Sequence, residues 1–490
     1  MASSVVSRAA GLGALTAAGQ FIIIGSLPTY SRVFDPGTYG EYVIFVGALG
    51  VVGVLAGVRY DSAIVLPRND RVATALSALV MLIALTVAAV IAAAALLAWT
   101  FAWTPAGWER IETHFGYGLA AATAIGALQR CLSGWCVRSS RFFLMGFGQF
   151  VFCLVTVAAQ LSFAGVMDQL PALIWGYVVA LGFQTASLAT PVFRRDRPGW
   201  ARGASWRGMK IAARKYRRFP TYMVGYALAS SARDRLIQIV LGIGAGAAAV
   251  GRFGLAYRVA FAPNSLIYSA VSPVFFAIAS RGSKLAVGRF AAGVVEALFV
   301  ILVVPYAAFA IEAPALTDGL LSDKWRGTGP YLQALAGPAL LLAATCWLDR
   351  AFDSFRRQYV AFALEASFTL VSVTLIAWLS GFVEAVSVAW AFGTLAIIYY
   401  WTYFLATFVA CGFPLADFRR ACVTGSLAIA VALSLGALAH QLPGLPLRLP
   451  AYALLMAMVI LSWIRFRGGT EIIRLLMQSR VGDSAEGLRT

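Results

Sequence analysis

From Ala9 to Arg465 the sequence returns again and again to apolar runs of about 18–24 residues, each long enough to cross a hydrocarbon layer of roughly 30 Å as a helix. No other feature constrains the fold so tightly. The composition agrees: 60% of the 490 residues are hydrophobic and 12% are charged, whereas a soluble domain is about 45–50% apolar and about 25% charged. The opening MASSVVSRAAGLGALTAAGQFIIIGSLPTY leads into a full-length run without a small-residue cleavage site, so it reads as a retained first helix.

Fourteen spans are expected, at 8–30, 39–60, 73–98, 114–137, 143–165, 171–193, 219–242, 246–279, 286–309, 328–350, 358–379, 382–404, 421–439 and 449–465. The eighth is long, and a tilt or a break is expected near Pro263 and Pro273. Alternate connections collect the basic residues, among them Arg68 and Arg71, Arg138 and Arg141, the 194–218 segment, Arg356 and Arg357, and Arg419 and Arg420. The opposite set, with GIGAG, MDQLP and SGFVE, has no lysine or arginine. By the positive-inside rule the first set is cytoplasmic, which places both termini there.

The division expected is an N-terminal six-helix lobe (1–193), a basic cytoplasmic linker (194–218), a C-terminal six-helix lobe (219–404), two more spans (405–466) and a cytoplasmic tail (467–490). Residues 193–220, FRRDRPGWARGASWRGMKIAARKYRRFP, read as a solvated linker that fixes topology and touches anionic headgroups. TYGEYVIFVG in the second span resembles AVGRFGLAYR in the eighth, each with a glycine before an aromatic, which suggests a parallel repeat. Two six-helix halves around a central cavity are a common transporter plan.

Several function classes find no support. The net charge of +18 is accounted for by membrane orientation, and no soluble domain offers a basic face to nucleic acid. Six cysteines (Cys131, Cys136, Cys153, Cys346, Cys411, Cys422) show no paired spacing and no histidine cluster, so neither disulfides nor zinc are expected, and no cofactor. No GxxxxGK[ST] loop, GxSxG elbow or HExxH pair is present, so an enzyme is not expected.

The charges within the apolar runs are the candidate site. In SSARDRLIQIV, Arg233, Asp234 and Arg235 stand side by side. Near mid-span each costs about 2.5–3.5 kcal/mol, against about 0.3–0.6 kcal/mol gained per strongly apolar residue, so they should face protein or water. At about 100° per residue Asp234 shares a face with Ser230, Ser231 and Gln238, with an arginine on either side. An interhelical ion pair and a substrate cavity both fit that stripe.

Arg59 and Asp61 end the second span, Arg130 follows Gln129 in the fourth, Arg252 and Arg258 lie in the eighth, and Glu296 in the ninth. A guanidinium offers paired donors to phosphate oxygens and keeps its charge, which suits an anionic headgroup. Candidate substrate contacts are therefore Arg233, Arg235, Arg258, Arg130 and Arg59. Near a span end, Arg59, Asp61 and Arg252 also fit snorkelling to the interface. Asp234, Glu296 and Asp61 are candidates for proton or cation coupling, with a structural hydrogen bond the competing reading. Asp349, Asp353 and Arg357, at four-residue spacing, read as a surface salt-bridge run. The tail TEIIRLLMQSR reads as a short amphipathic surface helix.

Two stretches carry a family resemblance. YGEYVIFVGALGVVGVLAGVRYDSAIVLPRND and DRLIQIVLGIGAGAAAVGRFGLAYRVAFAPNSLIYSAVSPVFFAIASR resemble bacterial polysaccharide transporters of the O-antigen flippase type, within the multidrug/oligosaccharidyl-lipid/polysaccharide exporter superfamily. The resemblance implies two six-helix bundles facing each other around a cationic cavity, plus two C-terminal helices. It also implies a substrate: an undecaprenyl-pyrophosphate-linked oligosaccharide, an O-antigen or exopolysaccharide repeat unit, moved from the cytoplasmic to the periplasmic leaflet of the bacterial inner membrane by ion-coupled alternating access. Membrane lipids, a polysaccharide polymerase and export machinery are the implied partners. A multidrug/cation antiporter of the same superfamily, a polytopic polymerase or ligase, and a structural subunit of an assembly complex are the alternatives. The antiporter would favour an acidic cavity, and the enzyme a longer loop than 99–113 or 310–327.

Overall fold

In hydrocarbon every backbone N–H and C=O must find a partner within the protein, so spanning runs of this length become helices. The computed structural model describes residues 2–67, 69–100, 113–139, 141–203, 205–217, 220, 224–279 and 282–467, and among them there is no strand. The first half forms α1 (Ala2–Gly25), α2 (Leu27–Val33), α3 (Pro36–Gly57), the short α4 (Tyr60–Ala63), α5 (Asp70–Thr100), α6 (Thr113–Arg138), α7 (Phe142–Phe163), α8 (Gln169–Gly203) and α9 (Trp206–Lys215). The second half forms α10 (Val224–Ala245), α11 (Ala247–Ala279), α12 (Lys284–Leu320), α13 (Gly329–Thr345), α14 (Asp349–Ser354), α15 (Gln358–Leu379), α16 (Ala385–Cys411), α17 (Leu415–His440) and α18 (Leu445–Arg467).

Eleven helical segments among the described residues are long and apolar enough to cross a membrane. The other three runs read as spans form α1, α6 and α10, of 24, 26 and 22 residues. Polar residues set α6 and α10 apart: α6 holds Gln129 and Arg130, and α10 holds Arg233, Asp234 and Arg235. The protein is an all-α, polytopic membrane protein.

Proline behaves differently from expectation. α11 runs unbroken through Pro263 and Pro273, and α12 continues through Pro305 and Pro314 into the segment read as a loop. A proline inside a helix frees the carbonyl four residues earlier, which is tolerated where another donor or a close neighbour takes it up. For Pro314 that carbonyl belongs to Ala310, and Gln333 Nε2 donates to it at 3.0 Å. For Pro338 it belongs to Ala334, and Gly393 of α16 packs onto it so closely that no Cβ would fit.

Within the 194–218 connection, residues 194–203 and 206–215 are helical. α8 continues to Gly203, and α9 opens on Ser205, whose Oγ accepts a hydrogen bond from the Gly208 amide at 3.1 Å. Ala212 of α9 is buried, and the Tyr60 hydroxyl donates to the Ala213 carbonyl at 3.2 Å. The 99–113 connection, apart from residues 99, 100 and 113, and the tail from 468 lie outside the described residues.

The chain divides into two units. One comprises Gly11–Gly251 with Thr369–Gly381. Its buried cluster joins Ile64, Leu76, Val80, Trp135, Leu188, Val192 and Ala212. Polar pins close it: Trp135 Nε1 donates to Ser77 Oγ at 3.1 Å, and Arg138 bonds Asp70 at 2.7 Å and the Pro67 carbonyl. Here the two repeat glycines meet. A Cβ on Gly40 would strike the Ala247 carbonyl and lie 2.9 Å from Gly251 N, and one on Gly251 would strike the Pro36 carbonyl and lie 3.1 Å from Gly40 N.

The other unit comprises Arg252–Phe368 and the chain from Phe382 onward, with the first ten residues. Tyr306 donates to the Ala260 carbonyl at 2.7 Å, and Trp347 packs edge-on to Phe275 at 4.9 Å. Glu312, wholly buried, holds His440 at 2.7 Å and Arg448 at 2.9 Å, with the Tyr452 hydroxyl at 3.4 Å.

Candidate functional site

The first of the two units holds a cavity of about 400 Å³, partly open, with mixed polar and apolar walls. Its geometry begins with the end of α3. The last turns of that helix, GVVGVLAG, are glycine-rich, and the chain then places Val58 and Arg59 at φ 45° and 57°. The left-handed region costs a residue with a side chain about 1–2 kcal/mol. Two in succession redirect the backbone into α4, so that Arg59 and Asp61 both line the cavity instead of continuing along α3. A Cβ on Gly57 would lie 3.2 Å from Asp61 Oδ1, so a glycine there leaves the carboxylate its place.

Arg130 enters from α6. Its Nη1 lies where a Cβ on Gly53 would come within 3.3 Å, and one on Gly126 within 3.4 Å. The two glycines thus make the slot that the guanidinium fills. Arg130 Nε stands 3.8 Å from Asp61 Oδ2, an ion pair without a direct hydrogen bond. Four buried polar atoms here have no hydrogen-bond partner among the described residues: Arg59 Nε, Arg130 Nε and Nη2, and Asp61 Oδ1. Leaving a buried donor or acceptor unused costs about 1–3 kcal/mol, and more when it is charged. With two guanidiniums and one carboxylate, the cavity carries a net positive charge and offers N–H donors to an anion.

Neutral polar groups complete the wall. Gln129 donates to Ser133 Oγ at 3.1 Å, and Gln184 of α8 donates to Gln149 of α7 at 3.3 Å. The Tyr177 ring stands edge-on to Phe152 at 5.3 Å and Phe45 at 6.3 Å. Gln149, Gln184 and Tyr177 were missed by reading charges alone; a glutamine within an apolar run was the available signal.

The structure thus brings together Arg59, Asp61 and Arg130. Arg258 is half-buried on α11 in the second unit. Glu296 of α12 is 5% exposed and accepts from Arg420 Nε at 2.8 Å, and Arg420 also lies 3.6 Å from Asp417. Arg233, Asp234 and Arg235 lie on α10, with their side chains outside the described residues. The Asp349, Asp353, Arg357 run does not form. α14 ends at Ser354 and Arg356 takes φ 58°, so Arg357 leaves the helix and donates to Tyr359. Asp349 accepts from Tyr268 at 2.9 Å, and Asp353 pairs with Arg350 at 3.2 Å.

Comparison with known proteins follows the same lines. A family model described as polysaccharide biosynthesis protein matches residues 30–330. The chain belongs to that family. Among solved structures it is similar to lipid II flippase MurJ in an inward closed conformation, with a TM-score of 0.71, 11% identity, and 94% of this chain and 99% of that one covered. It is also similar to an inward-facing multidrug resistance MATE family transporter of the MOP superfamily, with a TM-score of 0.62, 13% identity, and 83% and 96% covered. A mutant of the Vibrio cholerae MATE transporter VcmN matches with a TM-score of 0.53, 17% identity, and 85% and 100% covered. At these identities the likeness is one of fold. No curated protein matches the chain.

Proposed function

We propose that this protein is a flippase that moves an undecaprenyl-pyrophosphate-linked oligosaccharide, an O-antigen or exopolysaccharide repeat unit, from the cytoplasmic to the periplasmic leaflet of a bacterial inner membrane. The observation that supports it most is the cavity between α3, α6, α7 and α8, where Arg59 and Arg130 hold buried N–H donors that no described residue uses. A pyrophosphate supplies the acceptors. Membership of the polysaccharide biosynthesis family and a fold shared with a lipid II flippase support the same reading.

In this reading Arg130 and Arg59 grip the pyrophosphate by charge-assisted hydrogen bonds. Asp61, 3.8 Å from Arg130, competes for the guanidinium and so keeps the grip reversible. Gln149 and Gln184 face the sugar, and the polyprenyl chain stays in lipid. Arg233, Arg235 and Arg258 are further headgroup contacts, and Asp234, Glu296 and Asp61 serve ion coupling. Glu296 already engages Arg420, so coupling there works by exchange of that partner. Both termini are cytoplasmic, and a polymerase and export machinery take up the product.

A cation antiporter would need carboxylates in excess in its cavity, and here guanidiniums outnumber the carboxylate. The test is a gene deletion complemented with Arg59→Ala, Arg130→Ala or wild type, each checked for membrane expression. Lipid-linked glycan accumulating on the cytoplasmic face in the deletion and in both variants is the expected result. Unpolymerised glycan on the periplasmic face, or full export by both variants, overturns the proposal.

A further inference from the structure

The ten residues of α9, WRGMKIAARK, have two faces. Gly208, Met209, Ala212 and Ala213 turn inward, with Ala212 fully in the buried cluster. The opposite arc carries Arg207, Lys210, Arg214 and Lys215, all exposed, with Ile211 among them at 61% exposure and Trp206 at one edge at 70%. No described residue of its own unit covers that arc. Its height in the membrane is fixed by its contacts. Ala212 shares its cluster with Val192, where the apolar part of α8 ends, and with Ala73 and Leu76, the first turns of α5. α9 therefore lies where these helices leave the hydrocarbon, at the depth of the headgroups.

We propose that the outer face of α9 is a docking surface for the anionic phospholipid headgroups of the adjoining leaflet, and that docking braces the turn carrying Arg59 and Asp61. Charge complementarity selects the occupant: four basic side chains share one arc with no acidic residue in the helix. Trp206 and Ile211 enter the acyl boundary, as apolar residues of interfacial helices do. Each basic side chain at an anionic surface contributes about fivefold to binding. The mechanical link is Tyr60, which lies between Arg59 and Asp61, is 8% exposed, and donates its hydroxyl to the Ala213 carbonyl at 3.2 Å. A helix held against headgroups thereby holds the strained Val58–Arg59 turn in place.

The test is amide hydrogen exchange on the full-length protein in nanodiscs of phosphatidylcholine alone and of phosphatidylcholine with an equal part of phosphatidylglycerol. Exchange across 205–217 and 58–64 should slow several-fold in the anionic discs. The triple variant Lys210→Gln/Arg214→Gln/Lys215→Gln, all exposed positions, should melt like wild type and lose the slowing in both segments. Tyr60→Phe should keep it in 205–217 and lose it in 58–64. Equal exchange in the two lipids, or undiminished slowing in the triple variant, overturns the docking surface. Slowing confined to 205–217 in the wild type overturns the brace. None of these readings needs a glycan substrate, so they stand or fall separately from the flippase assignment.

Discussion

Gly40 and Gly251 face each other where the carbonyl one turn before each occupies the space in which the other's side chain would begin. The relation is reciprocal. Gly40 abuts the carbonyl four residues before Gly251, and Gly251 abuts the carbonyl four residues before Gly40. Both belong to the Gly–x–aromatic patterns that relate TYGEYVIFVG to AVGRFGLAYR. The two similar stretches are therefore in contact at these glycines.

Substituting either glycine by alanine forces α3 and α11 apart. Gly40→Ala and Gly251→Ala should each destabilise the detergent-solubilised protein by about 1–3 kcal/mol, the usual cost of overpacking. The double variant should cost less than the sum, because the first separation makes room for the second methyl group. Thermal unfolding of the four proteins checks both statements.

Asp61→Asn removes the one carboxylate from a cavity with two guanidiniums. The ion pair is part-exposed and 3.8 Å long, so stability should fall by no more than about 1 kcal/mol. Affinity for inorganic pyrophosphate should rise by about tenfold, since a negative charge a few ångströms from the anion has gone. Calorimetry on the purified protein reads the affinity. Surface polysaccharide should fall in the same variant, because a tighter grip slows release.

The Glu296–Arg420 pair is asymmetric, with side chains 7% and 42% exposed. Arg420→Ala removes a charge-assisted hydrogen bond from a buried carboxylate and should cost about 1.5–3 kcal/mol. Glu296→Gln leaves the arginine near solvent with an amide oxygen still in reach, and should cost about 1 kcal/mol. Melting temperatures in that order are expected; the reverse order would show that Arg420 finds no partner in Glu296.

Gln333→Leu strips the Ala310 carbonyl of its donor and should cost about 1–3 kcal/mol. Pro314→Ala restores the helix's own N–H to that carbonyl. In the Pro314→Ala background, Gln333→Leu should therefore cost markedly less, as a double-mutant cycle of thermal stabilities would read.

Hydropathy makes the helical spans legible because length and apolar content are local properties. The extent of α12 was not, since a proline ends a helix unless something distant tends the freed carbonyl, and Gln333 is nineteen residues beyond Pro314. The site was half legible. Arg59, Asp61 and Arg130 declare themselves by being charged within apolar runs, yet their convergence depends on Val58 and Arg59 turning left-handed, which neither residue type announces. Likewise Arg420 reads as one of a pair of topogenic arginines, and only the packing of α17 on α12 makes it the partner of Glu296.

Glu312 ties α12 to the closing pair of helices, for all three of its partners come from His440, Arg448 and Tyr452. The last two helices are for this reason not a removable appendage. A chain shortened before His440 would leave the Glu312 carboxylate with none of these three partners, and its defect would appear at insertion and assembly.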